Sequence, residues 1–329
     1  KHHQPSAKGP RMNPKRVVIV GGSGFIGSAI ANRLCETGVE VLIPTRRRSR
    51  TGPVLLLPNA EVVEADVHDP ATLARLFEGA DAVVNTVGVL HSRPGTPYGP
   101  DFARAHVELP QKIVTACRAA GVRRLVHVSA LGASADGPSE YQRSKAAGER
   151  VIEAAGPDIA WTMLRPSVVF GRGDSFLNLF ADLARMFPVL PLTGARCRFQ
   201  PVYVEDVAEV VWQSLARPEA AGQSFELAGP TVYTLRQLVE YVSALVGKPR
   251  PIIGLPEGLG MVQARLMELA PQPLMSRDNV RSMRVDNVAS GAPLPVGLIP
   301  TALEAVAPAW LGTAGPRAFY YPFRRHARR

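Results

Sequence analysis

The run Val17-Val18-Ile19-Val20 ends directly in Gly21-Gly22-Ser23-Gly24-Phe25-Ile26-Gly27. Apolar residues without polar alternation suit a strand covered on both faces, as in a parallel sheet flanked by helices. In the turn that follows, Gly21 permits the sharp reversal, Gly24 lets the backbone approach a pyrophosphate, and Gly27 lets the next helix pack closely on the sheet. The helix N-terminus, which carries Phe25 and Ile26, would then face the phosphates. The spacing is G-x-x-G-x-x-G, one residue wider at its first interval than the common G-x-G-x-x-G. A glycine loop alone is weak evidence, but its place on the first β-α turn points to a dinucleotide rather than a merely tight turn.

The same rhythm continues downstream. Strands are predicted near 16–20, 39–43, 61–64, 82–86, 124–128 and 160–164, with helices near 25–36, 70–78, 101–120 and 141–155. The fold class expected is α/β, a doubly wound parallel sheet (Rossmann fold) with a smaller mixed C-terminal substrate-binding portion. Prolines loosen the pattern after residue 166, and helical periods return at 206–216, 234–246, 259–270 and 276–283. The expected organisation is a leader over 1–14, a dinucleotide-binding domain over 15–166, an interwoven C-terminal portion over 167–316 and a basic aromatic tail over 317–329. The amphipathic stretch Leu259–Leu269 reads as core-facing in preference to membrane-seated.

Composition removes several classes. With 46% hydrophobic and 20% charged residues the chain can bury a sizeable core, so disorder and fibrous folds are excluded. It has no apolar run of the roughly 18 residues that a membrane span needs, and it begins polar and basic, so a cytoplasmic chain is expected, or one lying on the inner face of a membrane. The net charge of +10 resides in the ends: residues 1–16 and 317–329 each hold five basic residues and no acid, leaving 28 of each sign between them. A neutral body argues against a nucleic-acid partner. His2, His3 and Met12 mark the opening residues as vector sequence or a misplaced start. Cys35, Cys117 and Cys197 stand far apart without ligand spacing, so they read as buried thiols and no metal is expected.

The second strand runs into Pro44-Thr45-Arg46-Arg47-Arg48-Ser49-Arg50, with no carboxylate to hold the ribose hydroxyls of NAD. Arg46 and Arg47 suit a 2′-phosphate, which guanidinium groups clamp through charge-assisted hydrogen bonds. NADP(H) is therefore the preferred cofactor and NAD(H) the alternative. Asp66-Val67 follows the third strand, where a carboxylate meets the adenine amino group. Tyr141-Gln142-Arg143-Ser144-Lys145 opens a helix, and a separation of four puts phenol and ammonium on one face. The cation can lower the phenol pKa and help proton exchange with a substrate oxygen.

With these motifs on hand, the chain resembles the short-chain dehydrogenase/reductase superfamily, in its extended and atypical, epimerase/dehydratase-like branches. The resemblance spans nearly all of 16–312 and includes Leu164-Arg165-Pro166-Ser167-Val168-Val169-Phe170-Gly171 and Pro201-Val202-Tyr203-Val204-Glu205-Asp206-Val207-Ala208. More narrowly, His127-Val128-Ser129-Ala130-Leu131-Gly132-Ala133, Arg143-Ser144-Lys145-Ala146-Ala147-Gly148-Glu149 and Val285-Asp286-Asn287-Val288 are similar to the nucleotide-binding accessory subunit of respiratory complex I and its bacterial relatives, among them a protein of ubiquinone biosynthesis. The resemblance implies Tyr141 as acid/base and Lys145 as ribose ligand, with Thr86, Gly88 and Pro166 completing the cofactor contacts.

Two departures matter. The hydroxyl that polarises the substrate carbonyl in the superfamily falls on Ala130, leaving Ser129, one residue early, as a weaker catalytic candidate. The asparagine often found on the fourth helix is His106, which reads as a surface histidine. His68, His91 and His127 share no motif and read as structural or surface groups. Arg165, Arg172 and Arg198 suit either an anionic small-molecule substrate or framework ion pairs. Two functions stay open: an oxidoreductase acting on a carbonyl or alcohol, quinone-related or nucleotide-sugar-like, favoured by Tyr141 and Lys145; or a catalytically silent nucleotide-binding accessory or assembly subunit of respiratory complex I or a ubiquinone-synthesis complex, favoured by Ala130. The tail, with Phe319, Tyr320, Tyr321 and Phe323 among five arginines, suits peripheral membrane contact beside such a complex.

Overall fold

The computed structural model describes residues 13–270, 273–292 and 297–312. The expectations for the leader up to residue 12 and for the tail lie outside the described residues. Strands of four residues or more, in chain order, are β1 (Arg16–Val20), β2 (Glu40–Thr45), β3 (Ala60–Glu64), β4 (Ala82–Asn85), β5 (Arg124–Val128), β6 (Ala160–Pro166), β7 (Leu190–Thr193), β8 (Gln223–Leu227) and β9 (Ile252–Leu255). The helices that matter for the site are α1 (Phe25–Glu36), α2 (Pro70–Phe77), α3 (Leu109–Ala120), α4 (Glu140–Glu153), α5 (Leu177–Met186), α6 (Val204–Ala216), α7 (Leu235–Leu245), α8 (Glu257–Met267) and α9 (Arg277–Ser282).

A seven-stranded parallel sheet runs in the order β8-β6-β5-β4-β1-β2-β3, the doubly wound arrangement expected of the β-α rhythm. Side-chain alternation explains why β1 is apolar throughout. Val17 and Ile19 enter one core with Ile30 and Leu34 of α1 and Val207 and Val211 of α6, whereas Val18 and Val20 enter another with Leu73, Phe77, Ile113 and Ile152. Both β8 and α6 follow residue 166, yet they complete this sheet and its cover. The strand β8 escaped sequence reading because Gln-Ser-Phe-Glu-Leu lies at an edge and buries only Leu227 fully. Helix α5 also went unread. A third core, with Phe170, Leu177, Leu190, Leu238 and Val242, holds the C-terminal lobe around α5, α7 and β7.

Two elements differ from expectation. The helix predicted over 101–120 starts at Pro100–Phe102, widens into a π-helical segment at Ala103–Glu108 and continues as α3. Pro110 accounts for the widening: it has no N–H to donate to the carbonyl of His106, and its ring crowds that oxygen. Helix α8 corrects the core-facing reading of Leu259–Leu269, because Leu259, Val262, Leu266 and Leu269 are all exposed and only Gly260 and Ala264 are buried. Among the described residues no helix is long and apolar enough to cross a membrane. The three cysteines are free and buried, and burial pushes the Cys117 thiol up to about 12.

Candidate nucleotide and proton-transfer site

The glycine loop sits at the C-terminal edge of β1 between β2 and β4, where a doubly wound sheet opens a crevice. Gly21 has φ of 88°, and a side chain there would come within 2.6 Å of Thr86 Oγ1. A Cβ on Gly27 would strike the Gly21 carbonyl, so that glycine is required by helix-to-turn packing. Gly24 differs: the nearest atom to a Cβ there is the Gly21 carbonyl at 3.3 Å, leaving the space beyond it open for a ligand. Helix α1 has neither a side-chain N-cap nor an acid in its first turn. Its free N–H groups and positive dipole end thus remain available to an anion, which fits a pyrophosphate. Phe25 and Ile26 pack their side chains against the core and so fix that end of the helix.

At the far side of β2 lies a cavity of about 560 Å³ lined by Arg46, Glu64, Asp66, His68, Val89, Asp101 and Arg104 among others. Arg46 reaches it from the basic run; Arg47 is exposed and is not part of the lining. Arg104, absent from the sequence-based site, comes from the π segment. Glu64 was also missed, because its place follows from sheet register: it pairs with Thr45 and its carboxylate accepts from the Arg48 N–H at 3.4 Å. Asp66 accepts the His68 N–H at 2.9 Å, and Val67 packs on the core. The Nδ1 of His68 is buried with no hydrogen-bond partner among the described residues. Burial first, then the charges of Arg104, Lys112 and Arg46, lower the His68 pKa against the opposing pull of Asp66. This end of the crevice is polar, roomy and able to hold adenosine and a phosphate.

The other end is tightly packed. Ser139 caps α4 with a reciprocal bond to Gln142, and Asp278 of α9 accepts the Glu140 and Tyr141 N–H groups at 2.7 and 2.9 Å. All three leading N–H groups of α4 are thereby satisfied, two of them by a residue 137 or more positions away. Lys145 is buried and donates from Nζ to the Val128 carbonyl at 3.0 Å. Burial lowers its pKa to about 8, opposed by the charge of Glu149. Tyr141 is half-buried against Phe102 and His106, and burial pushes its phenol up to about 12, outweighing the lowering expected from a nearby cation.

His106 is no surface histidine. It is buried, stacks on Phe102, and its Nε2 accepts the Val89 N–H at 3.0 Å. That bond leaves the proton on Nδ1, which donates to Ser144 Oγ at 2.8 Å, and Ser144 Oγ donates in turn to the Tyr141 carbonyl at 2.8 Å. Gly148, one turn past Ser144, is where α4 touches the His106 carbonyl so closely that no Cβ fits. The loop carrying Thr86 and Gly88 is thus tied to the helix carrying Tyr141. Thr86 Oγ1 itself donates to the Val20 carbonyl at 3.1 Å, and a Cβ on Gly88 would sit 3.7 Å from His106 Nε2. His127 is buried as well and meets Asn85 across β4 and β5 at 3.0 Å. Burial first, then the charge of Lys145, depresses His106 to about 2 and His127 to about 3; His127 also lowers His106.

Ser129 donates its N–H to the Leu164 carbonyl at 2.7 Å, while its buried hydroxyl has no partner among the described residues. The Pro166 carbonyl accepts from Leu131, and Asn287 ties that same segment down. Its Nδ2 donates to the Leu131 carbonyl at 3.0 Å and its Oδ1 accepts from Ser167 Oγ at 2.6 Å. Arg165 and Arg198 are framework residues, paired with Glu149 and Asp286 at 2.6 and 2.7 Å.

Comparison with known proteins gives the family. NADH dehydrogenase (ubiquinone) 1 alpha subcomplex subunit 9, mitochondrial, of Rattus norvegicus is 32% identical over 324 residues, covering 92% of this chain and 82% of that protein. Ceramide reductase of Caulobacter vibrioides is 31% identical over 244 residues, covering 73% of this chain and 74% of that protein. Among solved structures, a double mutant of DesIV, a dTDP-glucose 4,6-dehydratase from Streptomyces venezuelae with NAD bound, has a TM-score of 0.69 at 22% identity over 93% of this chain and 99% of that one, a likeness of fold. The model of the NAD dependent epimerase/dehydratase family matches residues 17–228, and the chain belongs to that family.

Proposed function

We propose that this protein binds NADP(H) and reduces a carbonyl, or oxidises the matching alcohol, on a small quinone-related or nucleotide-sugar-like substrate. The observation that carries the cofactor half is the convergence of Arg46 and Arg104 on the cavity beside β2. Two guanidinium groups in that position would hold a 2′-phosphate, and Asp66 would take the adenine amino group. Gly21, Gly24 and Gly27 with the α1 N-terminus would hold the pyrophosphate, and Lys145 the nicotinamide ribose. When bound, the nicotinamide supplies or accepts hydride at its C4.

The chain's own work is protonic. A phenol pushed up to about 12 stays neutral at physiological pH and acts as an acid, which favours the reductive direction. Tyr141 hands its proton to the substrate oxygen as hydride reaches the carbonyl carbon. His106 and Asp278 hold its backbone in place while it does so. Ser129 follows Val128, whose carbonyl accepts from Lys145, and its buried hydroxyl has no partner among the described residues, which keeps it as the candidate for polarising the carbonyl.

A second reading is a nucleotide-binding accessory or assembly subunit of a respiratory or ubiquinone-synthesis complex. It is favoured by Ala130 and by similarity to the complex I subunit over 92% of the chain. One experiment separates the two: mass spectrometry of nucleotide retained on native purification, joined to a turnover screen over quinones, nucleotide sugars and sphingoid ketones. Retained NADPH with turnover supports the enzyme. Retained NADPH without turnover on any class supports the accessory reading, and NAD(H) in its place overturns the cofactor assignment.

A further inference from the structure

We propose that α8 is a lipid-seating helix that lays the C-terminal lobe on an anionic membrane surface. Leu259, Val262 and Leu266 are 57, 57 and 64% exposed and fall on one stripe of the helix at spacings of three and four, and Leu269, two residues past its end, is 83% exposed. The opposite face is fixed to the protein. Gly260 lies so close to Thr193 of β7 that a side chain cannot enter, and Thr193 Oγ1 meets Gln263 at 3.3 Å. Ile253 on β9, just before the helix, is 56% exposed and enlarges the apolar surface. A stripe of large aliphatic side chains held outward by a rigid back face is not a helix awaiting a core.

Charge identifies the occupant. The one acid of α8 and the one that follows it are tied to arginines beyond the helix, Glu257 to Arg284 Nε at 2.8 Å and Glu268 to Arg277 Nε at 2.9 Å. Arg265 flanks the stripe, is exposed, and has no ion pair among the described residues. The helix thus offers an apolar stripe, a bare cation at its border and no bare carboxylate, the combination that suits an anionic lipid headgroup layer. A second copy of the chain fits less well, because two-fold pairing about the stripe centre would bring the two Arg265 side chains together with no acid free to answer them. At 11 residues the helix is far too short to cross a bilayer, so it lies in the interface.

The test is flotation of the full chain, without nucleotide, with phosphatidylcholine vesicles that contain or lack phosphatidylglycerol. The protein should float with the anionic vesicles. Val262→Asp with Leu266→Asp should lower the bound fraction about tenfold or more, and Arg265→Glu should lower it roughly tenfold on anionic vesicles only. All three positions are exposed, so melting temperature and NADPH affinity should stay unchanged. Failure to float, or double-variant flotation equal to that of the parent, overturns the proposal. So does a dimer in sedimentation velocity that the double variant dissociates while flotation persists, which would assign the stripe to a second copy. Since no outcome depends on turnover or bound nucleotide, the oxidoreductase reading stands or falls separately.

Discussion

The two ends of the crevice are built on opposite principles. At the proposed adenosine end, exposed guanidinium groups and carboxylates line an open cavity of about 560 Å³. At the proton-transfer end, Tyr141, Lys145, His106, Ser144 and Ser129 are packed together, and burial dominates every resolved pKa shift. The first end recognises charge and tolerates water. The second, on the proposed function, holds a proton donor among packed side chains, where a misplaced group has little solvent to compensate it. Variants should accordingly separate affinity from rate.

The sharpest separation is within the glycine loop. Gly24→Val should abolish measurable nucleotide binding, because its side chain would enter the open space over the α1 N-terminus, with little change in melting temperature. Gly27→Ala should lower the melting temperature instead, since its Cβ meets backbone. Calorimetric titration beside thermal melts tests both, and a Gly24→Val protein that still binds NADPH removes the loop from the site. Next in size, Tyr141→Phe should leave NADPH affinity intact while lowering any hydride transfer by about a hundredfold or more. An active variant would place the acid elsewhere.

At the adenosine end, Arg46→Ala and Arg104→Ala should each weaken NADPH by roughly ten- to a hundredfold while changing NADH little, the value of one charge-assisted bond. Equal losses for both cofactors would mean that neither arginine reads a phosphate. A last test probes burial at the other end. Below pH 6.5 the unfolded chain binds protons at His106 and His127, which the folded chain refuses until about pH 2 and 3. Stability should therefore fall with decreasing pH by up to about 1.4 kcal/mol per unit for each histidine, starting before the carboxylates titrate. Urea denaturation at pH 7, 6 and 5 would show it, and a flat profile would mean that these rings are hydrated.

How much of this was legible follows from how local each part is. The glycine loop, the strand before it and the spacing of Tyr141 and Lys145 are short-range patterns, and the structure places them on the turn and helix they suggest. Arg46 was visible in the basic run, but Arg104 and Glu64 were not, because their approach to the cavity depends on helix phase and strand register. Asp278 lies in a segment read as helical, yet nothing in Ser276-Arg277-Asp278-Asn279 says that its carboxylate caps a helix 137 residues earlier. His106 was misread as surface for want of two signals that were present: Pro110 four residues on, which frees the His106 carbonyl, and Gly148, which lets α4 approach it. The stripe of α8 was seen correctly as amphipathic and assigned to the wrong solvent, since periodicity reports a face and not what lies against it.

The π segment has a consequence for how such a helix can change. One π turn is an α turn with a residue inserted, and each residue of an α-helix advances its phase by about 100°. Residues before the insertion are therefore rotated relative to those after it. Asp101, Arg104 and Ala105 face the adenosine cavity from the same rod whose His106 grips α4 and whose Ile113 and Cys117 enter the core. A single-residue deletion between Ala103 and Glu108 would rotate the residues before it by about 100° and so turn that wall of the cavity away. On the proposed function, recognition of the cofactor and support of the acid are coupled by a phase offset in a single element, so an insertion or deletion there should change cofactor preference without any substitution at a contacting residue.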